Sequence, residues 1–255
     1  MSEQEATTVE SEPEAQQNWG SGQNGLVKGI PGKHIALNGV LDLRGVSAEE
    51  IKQIETLVVN GVVLLDESNN GALADVRTNV NGSIMTADPS MRVMVQPDLE
   101  MTRTMVEAMP AGQKLLVIGI ITVSLDIPPA LLAEKFDDLR LVGVVIIGEA
   151  AMGALFGRSE ITGVSVTLGP DSGPVVRNIG SITWSVDYLT RLQDGSTFVN
   201  VGSTEIASDV PEELVAAKVG TYHNVGSTSG PHALLELLRS RCRTNLGSFD
   251  ESDAQ

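Results

Sequence analysis

The residue types that most often carry chemistry are few in this chain and far apart. Histidine occurs as His34, His223 and His232. No two of them stand at the short intervals that bring two imidazoles onto one metal ion, so structural or solvent-facing roles are expected. Cys242 lies between Arg241 and Arg243. Neighbouring cations lower a thiol pKa, but no histidine lies at a helpful spacing, and a buried thiol on a helix face is expected. The stretch "DESNNG" at 66–71 carries the oxygen groups of Asp66, Glu67, Asn69 and Asn70. It lacks the alternating acids and the closing Glu that wrap a calcium ion, and it reads as a solvated turn. "GEAAMGALFG" at 148–157 has Gly148, Gly153 and Gly157 without the Lys-Ser/Thr ending of a phosphate loop, and it reads as a tightly packed helix. The adjacent acids Glu49/Glu50 and Asp137/Asp138 read as exposed turns. No catalytic, cofactor-binding or metal-binding residue is assigned, and no cofactor is expected.

The amides are patterned. "RNIGS", "VNVGS", "HNVGS" and "TNLGS" place Asn178, Asn200, Asn224 and Asn245 at intervals of 22, 24 and 21 residues. Each stands two residues before a glycine. A second set, Asn38, Asn60 and Asn81, stands one residue before a glycine, with Gln96 in the corresponding place before Pro97. Adjacent strand positions face opposite sides, so the two sets point in opposite directions. Stacked on parallel strands ~4.8 Å apart, equivalent amides bond along the stack as a structural ladder that holds register. The alternative is a row of amides lining a polar groove for sugar or peptide.

These residues need elements to position them. Gly39, Gly61, Gly82, Gly119, Gly143, Gly163, Gly180, Gly202, Gly226 and Gly247 recur at steps mostly near 22, and a missing anchor is assigned to Pro97, making about eleven rungs. Each rung reads as a β-rich stretch ("TLVVNGVVLL", "KLLVIGIITV") followed by a short helical pattern ("PPALLAEKF", "PEELVAAKV"). Ser47 with Glu50 forms a capping-box pair, and Pro128, Pro129, Pro211 and Pro231 sit where a helix start tolerates a missing N–H. The rungs after Gly82 and Gly163 are too short for a helix. Strand and short helix repeating at this period predict a right-handed α/β solenoid with one parallel sheet. "IPPALLAEKFDDLRLVG" and "VPEELVAAKVGTYHNVG" resemble the leucine-rich-repeat family, which implies that architecture and nothing about a ligand.

Residues 1–30 are rich in Glu, Gln, Ser and Gly and are expected to be a disordered acidic tail, as are 249–255, leaving a body at 31–248. A seam is expected at "GPDSGP", 169–174. Aromatics are 3% of the chain, which implies thin, regular layers of Val, Ile, Leu and Ala.

The net charge is −16, and the body stays acidic with the tails removed. Nucleic-acid backbones and anionic membranes are met with Lys and Arg, so neither is an expected partner. One cysteine cannot form an internal disulfide, no charged-then-apolar leader is seen, and the longest apolar runs are too short for a bilayer. A cytoplasmic location is expected. The expected function is a non-catalytic protein-interaction scaffold. The alternatives are a structural protein that self-associates through its solenoid ends, or a solenoid enzyme acting on a polymer.

Overall fold

The structure, a computed structural model, describes residues 25–155 and 157–252. Positions 1–24 and 253–255, most of the expected tails, lie outside them. The chain divides into two units, 1–91 and 92–255. The fold is mixed α/β with parallel sheets, and no helix among the described residues is long and apolar enough to cross a membrane.

In the first unit, β1 (Leu26–Lys28), β2 (His34–Asp42), β3 (Thr56–Leu65) and β4 (Arg77–Thr86) form a parallel sheet in chain order. The crossovers carry α1 (Ala48–Ile51) and a 3-10 turn at Ala72–Asp75. The Ser47 hydroxyl accepts from the Glu50 N–H (3.2 Å) and the Glu50 carboxylate accepts from the Ser47 N–H (3.1 Å), so the capping box starts α1. Alternate strand residues Leu41, Leu57, Val59, Val63 and Leu65, with Leu43 just past β2, bury against Ile51, Ile54 and Leu73. Each such side chain contributes roughly 1.5–3 kcal/mol through apolar burial.

The long strands bend without losing their ladder. Gly39, Gly61 and Gly82 stand in register with φ of 137°, 146° and 150°. A Cβ on Gly61 would lie 2.0 Å from the Gly39 carbonyl oxygen. Only glycine meets both the backbone angle and the close approach, which is why the chain repeats it at this spacing.

In the second unit, β5 (Arg92–Met101), β6 (Gln113–Val123), β7 (Phe136–Gly148) and β8 (Ser159–Leu168) form a second parallel sheet, crossed by α2 (Arg103–Ala108), α3 (Pro129–Lys135) and α4 (Glu149–Leu155). From residue 175 each long bent strand becomes two short ones. One sheet is β9 (Val175–Asn178), β11 (Ser196–Asn200), β13 (Val219–Asn224) and β15 (Cys242–Asn245). The other is β10 (Ser181–Trp184), β12 (Ser203–Ile206), β14 (Ser227–Gly230) and β16 (Ser248–Glu251). Helices α5 (Val186–Thr190), α6 (Glu212–Lys218) and α7 (His232–Arg241) cover this third array. Phe198 of β11 faces the core with Trp184, Ile206, Tyr222 and Leu235, while Val199 faces Ile146, Val166 and Leu168 of the second sheet. Both faces of β11 are therefore buried, and none of its five residues is exposed.

Four expectations change. The described strands form four sheets of four, not one: the pairing stops at the helix-free links 87–91 and 169–174, and the last array divides at its corners. The missing anchor is Gln96, in register with Gly119; Pro97, with no N–H for the ladder, is bulged out. Strand β1 and all of β16 but Ser248 lie inside the stretches read as tails: their few apolar residues, such as Val27 and Phe249, pack on the neighbouring core. And the thin aliphatic layers expected throughout give way, in the third array, to a few large aromatic anchors. Trp184 contacts Phe198 and Tyr222, with ring centroids 4.7 and 5.9 Å apart, and Tyr222 contacts Phe249 at 6.1 Å.

Candidate functional site

The two amide columns have opposite fates. Asn178, Asn200, Asn224 and Asn245 are in register at the corners between paired short strands. Asn178 Nδ2 donates to Asn200 Oδ1 (2.9 Å), Asn200 Nδ2 to Asn224 Oδ1 (2.9 Å), and Asn224 Nδ2 to Asn245 Oδ1 (3.2 Å). Each donor also reaches a backbone carbonyl beyond the next corner: Ser203, Ser227 and Ser248, at 2.8–2.9 Å. Asn200 and Asn224 are 1% and 0% exposed. The two middle amides thus satisfy corner backbone from inside the core, while Asn178 is half-buried and Asn245 exposed. Asn38, Asn60 and Asn81 are also in register but exposed, with Asn60 Nδ2 donating to Asn38 Oδ1 at 2.7 Å.

The ladder has a titratable border. Tyr222 shares a 2.7 Å hydrogen bond with Thr228, and burial pushes its phenol up to about 12. His223, one residue before Asn224, lies 3.0 Å from Thr244 Oγ1. Burial, followed by the charge of Arg243, lowers its pKa below the usual 6.5. Cys242 opens β15 instead of closing a helix, because α7 ends at Arg241; burial raises its thiol pKa, away from reactivity. His34 and His232 are exposed beside Glu55 and Glu251.

The "DESNNG" stretch is not a wholly solvated turn. Asp66 and Asn69 are buried, while Glu67 and Asn70 are exposed. The Asp66 carboxylate accepts from the Ser68 hydroxyl (2.5 Å) and the Gly45 N–H (2.5 Å), which holds its pKa below the ordinary value. Asn69 Nδ2 donates to the carbonyls of Leu43 and Val46. The side-chain oxygens of Asp66 and Asn69 are taken up by the N–H groups of Gly45, Ser68 and Asp66 and by the Ser68 hydroxyl. No group of three or more His, Cys, Asp or Glu side chains among the described residues is placed to hold a metal ion. Gly153 of α4 has open space around it, so that helix is not tightly packed at this glycine.

Two features were not legible beforehand. Arg177, the residue before Asn178, turns outward and donates to Asp98 Oδ1 (2.9 Å), Thr122 Oγ1 (2.9 Å) and Glu100 Oε2 (3.3 Å). Two acids on one face of β5 are thereby neutralised by the third array. The second feature is an open pocket of about 530 Å³ lined by Leu125, Ile127, Pro129, Ala150, Leu168 and Pro170, with Glu149 in its wall. It lies at the carboxyl ends of β6, β7 and β8, where parallel α/β sheets commonly receive ligands. Its cause is visible: β8 is followed by the turn 169–174 and no helix, so α4 has no next helix beside it. The helix-free "GPDSGP" was the only sequence signal for it.

No family of known proteins, no curated protein and no solved structure matches the chain.

Proposed function

We propose that the chain is a non-catalytic protein-interaction scaffold, a right-handed solenoid of the leucine-rich-repeat type acting in the cytoplasm. Support for the solenoid comes from parallel strands stacked in chain order, short helices at the crossovers, and glycine and asparagine columns in register.

The observation that carries the interaction reading is the pocket beside α4. It is mostly apolar, Leu125 at its edge is 49% exposed, and Glu149 supplies the single charge. Such a site suits one apolar side chain of an extended protein partner, carried beside a basic residue that meets Glu149. The test is capture of partners from the native host by the immobilised full chain. Leu125→Asp and Ala150→Trp, the first charging the pocket and the second filling it, should each abolish capture while leaving the melting temperature unchanged. Capture that survives both substitutions moves the docking surface elsewhere. No specific capture by the unaltered chain removes the scaffold reading.

A further inference from the structure

The asparagine ladder has two unlike ends. Each interior amide nitrogen donates to the next asparagine and to a carbonyl past the next corner. Asn245 receives a bond from Asn224, and among the described residues its own amide nitrogen has no acceptor. It is exposed, as are Leu246 (61%), Gly247 and Ser248. At the opposite end, Asn178 donates forward, and no donor among the described residues reaches its Oδ1.

The corner glycines repeat this asymmetry. A Cβ on Gly202, Gly226 or Gly247 would meet the preceding corner's carbonyl oxygen at 1.8, 1.8 and 1.6 Å. A Cβ on Gly180 would meet nothing within 4 Å. The place filled by a carbonyl at every later corner is therefore open at the first one. One end of the array thus presents free donors and a corner carbonyl. The other presents a free acceptor and the space for that carbonyl.

We propose that the β15/β16 end of the third array docks the β9/β10 end of a second copy of this chain, continuing both sheets and the asparagine ladder in register. The inward columns match across the junction. Val176, Phe198, Tyr222 and Cys242 occupy one register column, so the incoming Val176 covers the half-buried Cys242. Ile182, Thr204, Thr228 and Phe249 form the next, so the incoming Ile182 covers Phe249. Open sheet edges invite such pairing. The two docking surfaces differ, so the contact is head to tail and grows as a chain instead of closing as a symmetric dimer. The charge of −16 per copy opposes it, and salt screens that repulsion. The surface is separate from the pocket beside α4 and does not depend on the scaffold reading.

The test uses Cys242 as a reporter, being the chain's single cysteine. In Val176→Cys, the new thiol and Cys242 of the next copy should lie on adjacent parallel strands ~4.8 Å apart, within disulfide reach. With dissolved oxygen as oxidant, raised salt should give a non-reducing gel ladder of dimers, trimers and longer species. Ser229→Cys, facing outward within the array, should give none beyond random dimers. Asn245→Asp removes the donors and sets a carboxylate against the incoming Asn178 oxygen. It should weaken association about tenfold or more, since the loss of even one well-placed hydrogen bond is worth about that much. Sedimentation of the unaltered chain, from ~0.05 to ~0.5 M salt, gives a readout independent of the cysteine variants. A weight-average mass rising with salt above 26.9 kDa is expected. A chain that stays monomeric across the series, or a Val176→Cys ladder no longer than that of Ser229→Cys, overturns the proposal.

Discussion

Asn200 and Asn224 stand on neighbouring parallel strands, both almost wholly buried, and Asn200 donates to Asn224 across 2.9 Å. Asn200 Oδ1 meanwhile accepts from Asn178 and from the Gly202 N–H. Replacing Asn200 by Ala removes a donor to the part-buried Ser227 carbonyl and an acceptor for the part-buried Gly202 amide. The expected cost is roughly 1–3 kcal/mol. Asn245→Ala, at the exposed end of the column, should cost clearly less. Urea denaturation of the two variants checks the ranking; equal losses would mean that burial of the column does not decide its worth.

Two glycines in unlike settings allow a paired test of opposite sign. Gly61→Ala meets a φ of 146° and a carbonyl oxygen at 2.0 Å, and should destabilise by roughly 3 kcal/mol or more. Gly153→Ala, inside α4 with open space around it, should stabilise by about 0.5–1 kcal/mol. Thermal melts of both variants against the parent chain read the two signs directly.

Arg177 joins β9 to the second sheet through Asp98, Glu100 and Thr122. Its ion pairs are partly exposed, worth about 0.2–1 kcal/mol each, and the Thr122 bond adds about 1 kcal/mol. Arg177→Met should therefore lose about 1–2 kcal/mol. It should also lose part of the salt dependence of stability, measured by urea titration at low and high ionic strength. A variant as salt-sensitive as the parent would show that the acids of β5 are not held by this residue.

His223 sets a pH dependence. Its folded pKa is lowered, by burial first and then by Arg243. The unfolded chain therefore binds its proton at a higher pH than the folded chain does. The stability contribution is complete above the ordinary value of about 6.5 and is lost as pH falls through the lower folded value. Parent stability should decline on acidification below that point, and His223→Gln should remove this part of the decline. Imidazole proton chemical shifts across the same range should place the His223 midpoint below the ordinary value of about 6.5.

Spacing along the chain was enough to find the glycine and asparagine columns. In stacked parallel strands one period of sequence becomes one step of the stack, so residues a period apart meet. That Asn178 and Asn200 would touch is legible for this reason, as is the lack of helix at 87–91 and 169–174, where the period is too short to hold one. Which face of a strand is covered depends instead on what lies across from it. Val199 is buried because Ile146 and Val166 face it, and Arg177 is engaged because Asp98 does. Asp66 and Asn69 are buried because the carbonyls of Leu43 and Val46 and the amide of Gly45 come within reach from more than twenty residues away. The pocket beside α4 follows from a helix that is missing next to it. Periodicity carries neighbour-to-neighbour register along one stack, whereas contact between stacked layers joins residues with no common spacing, and only the tertiary structure supplies it.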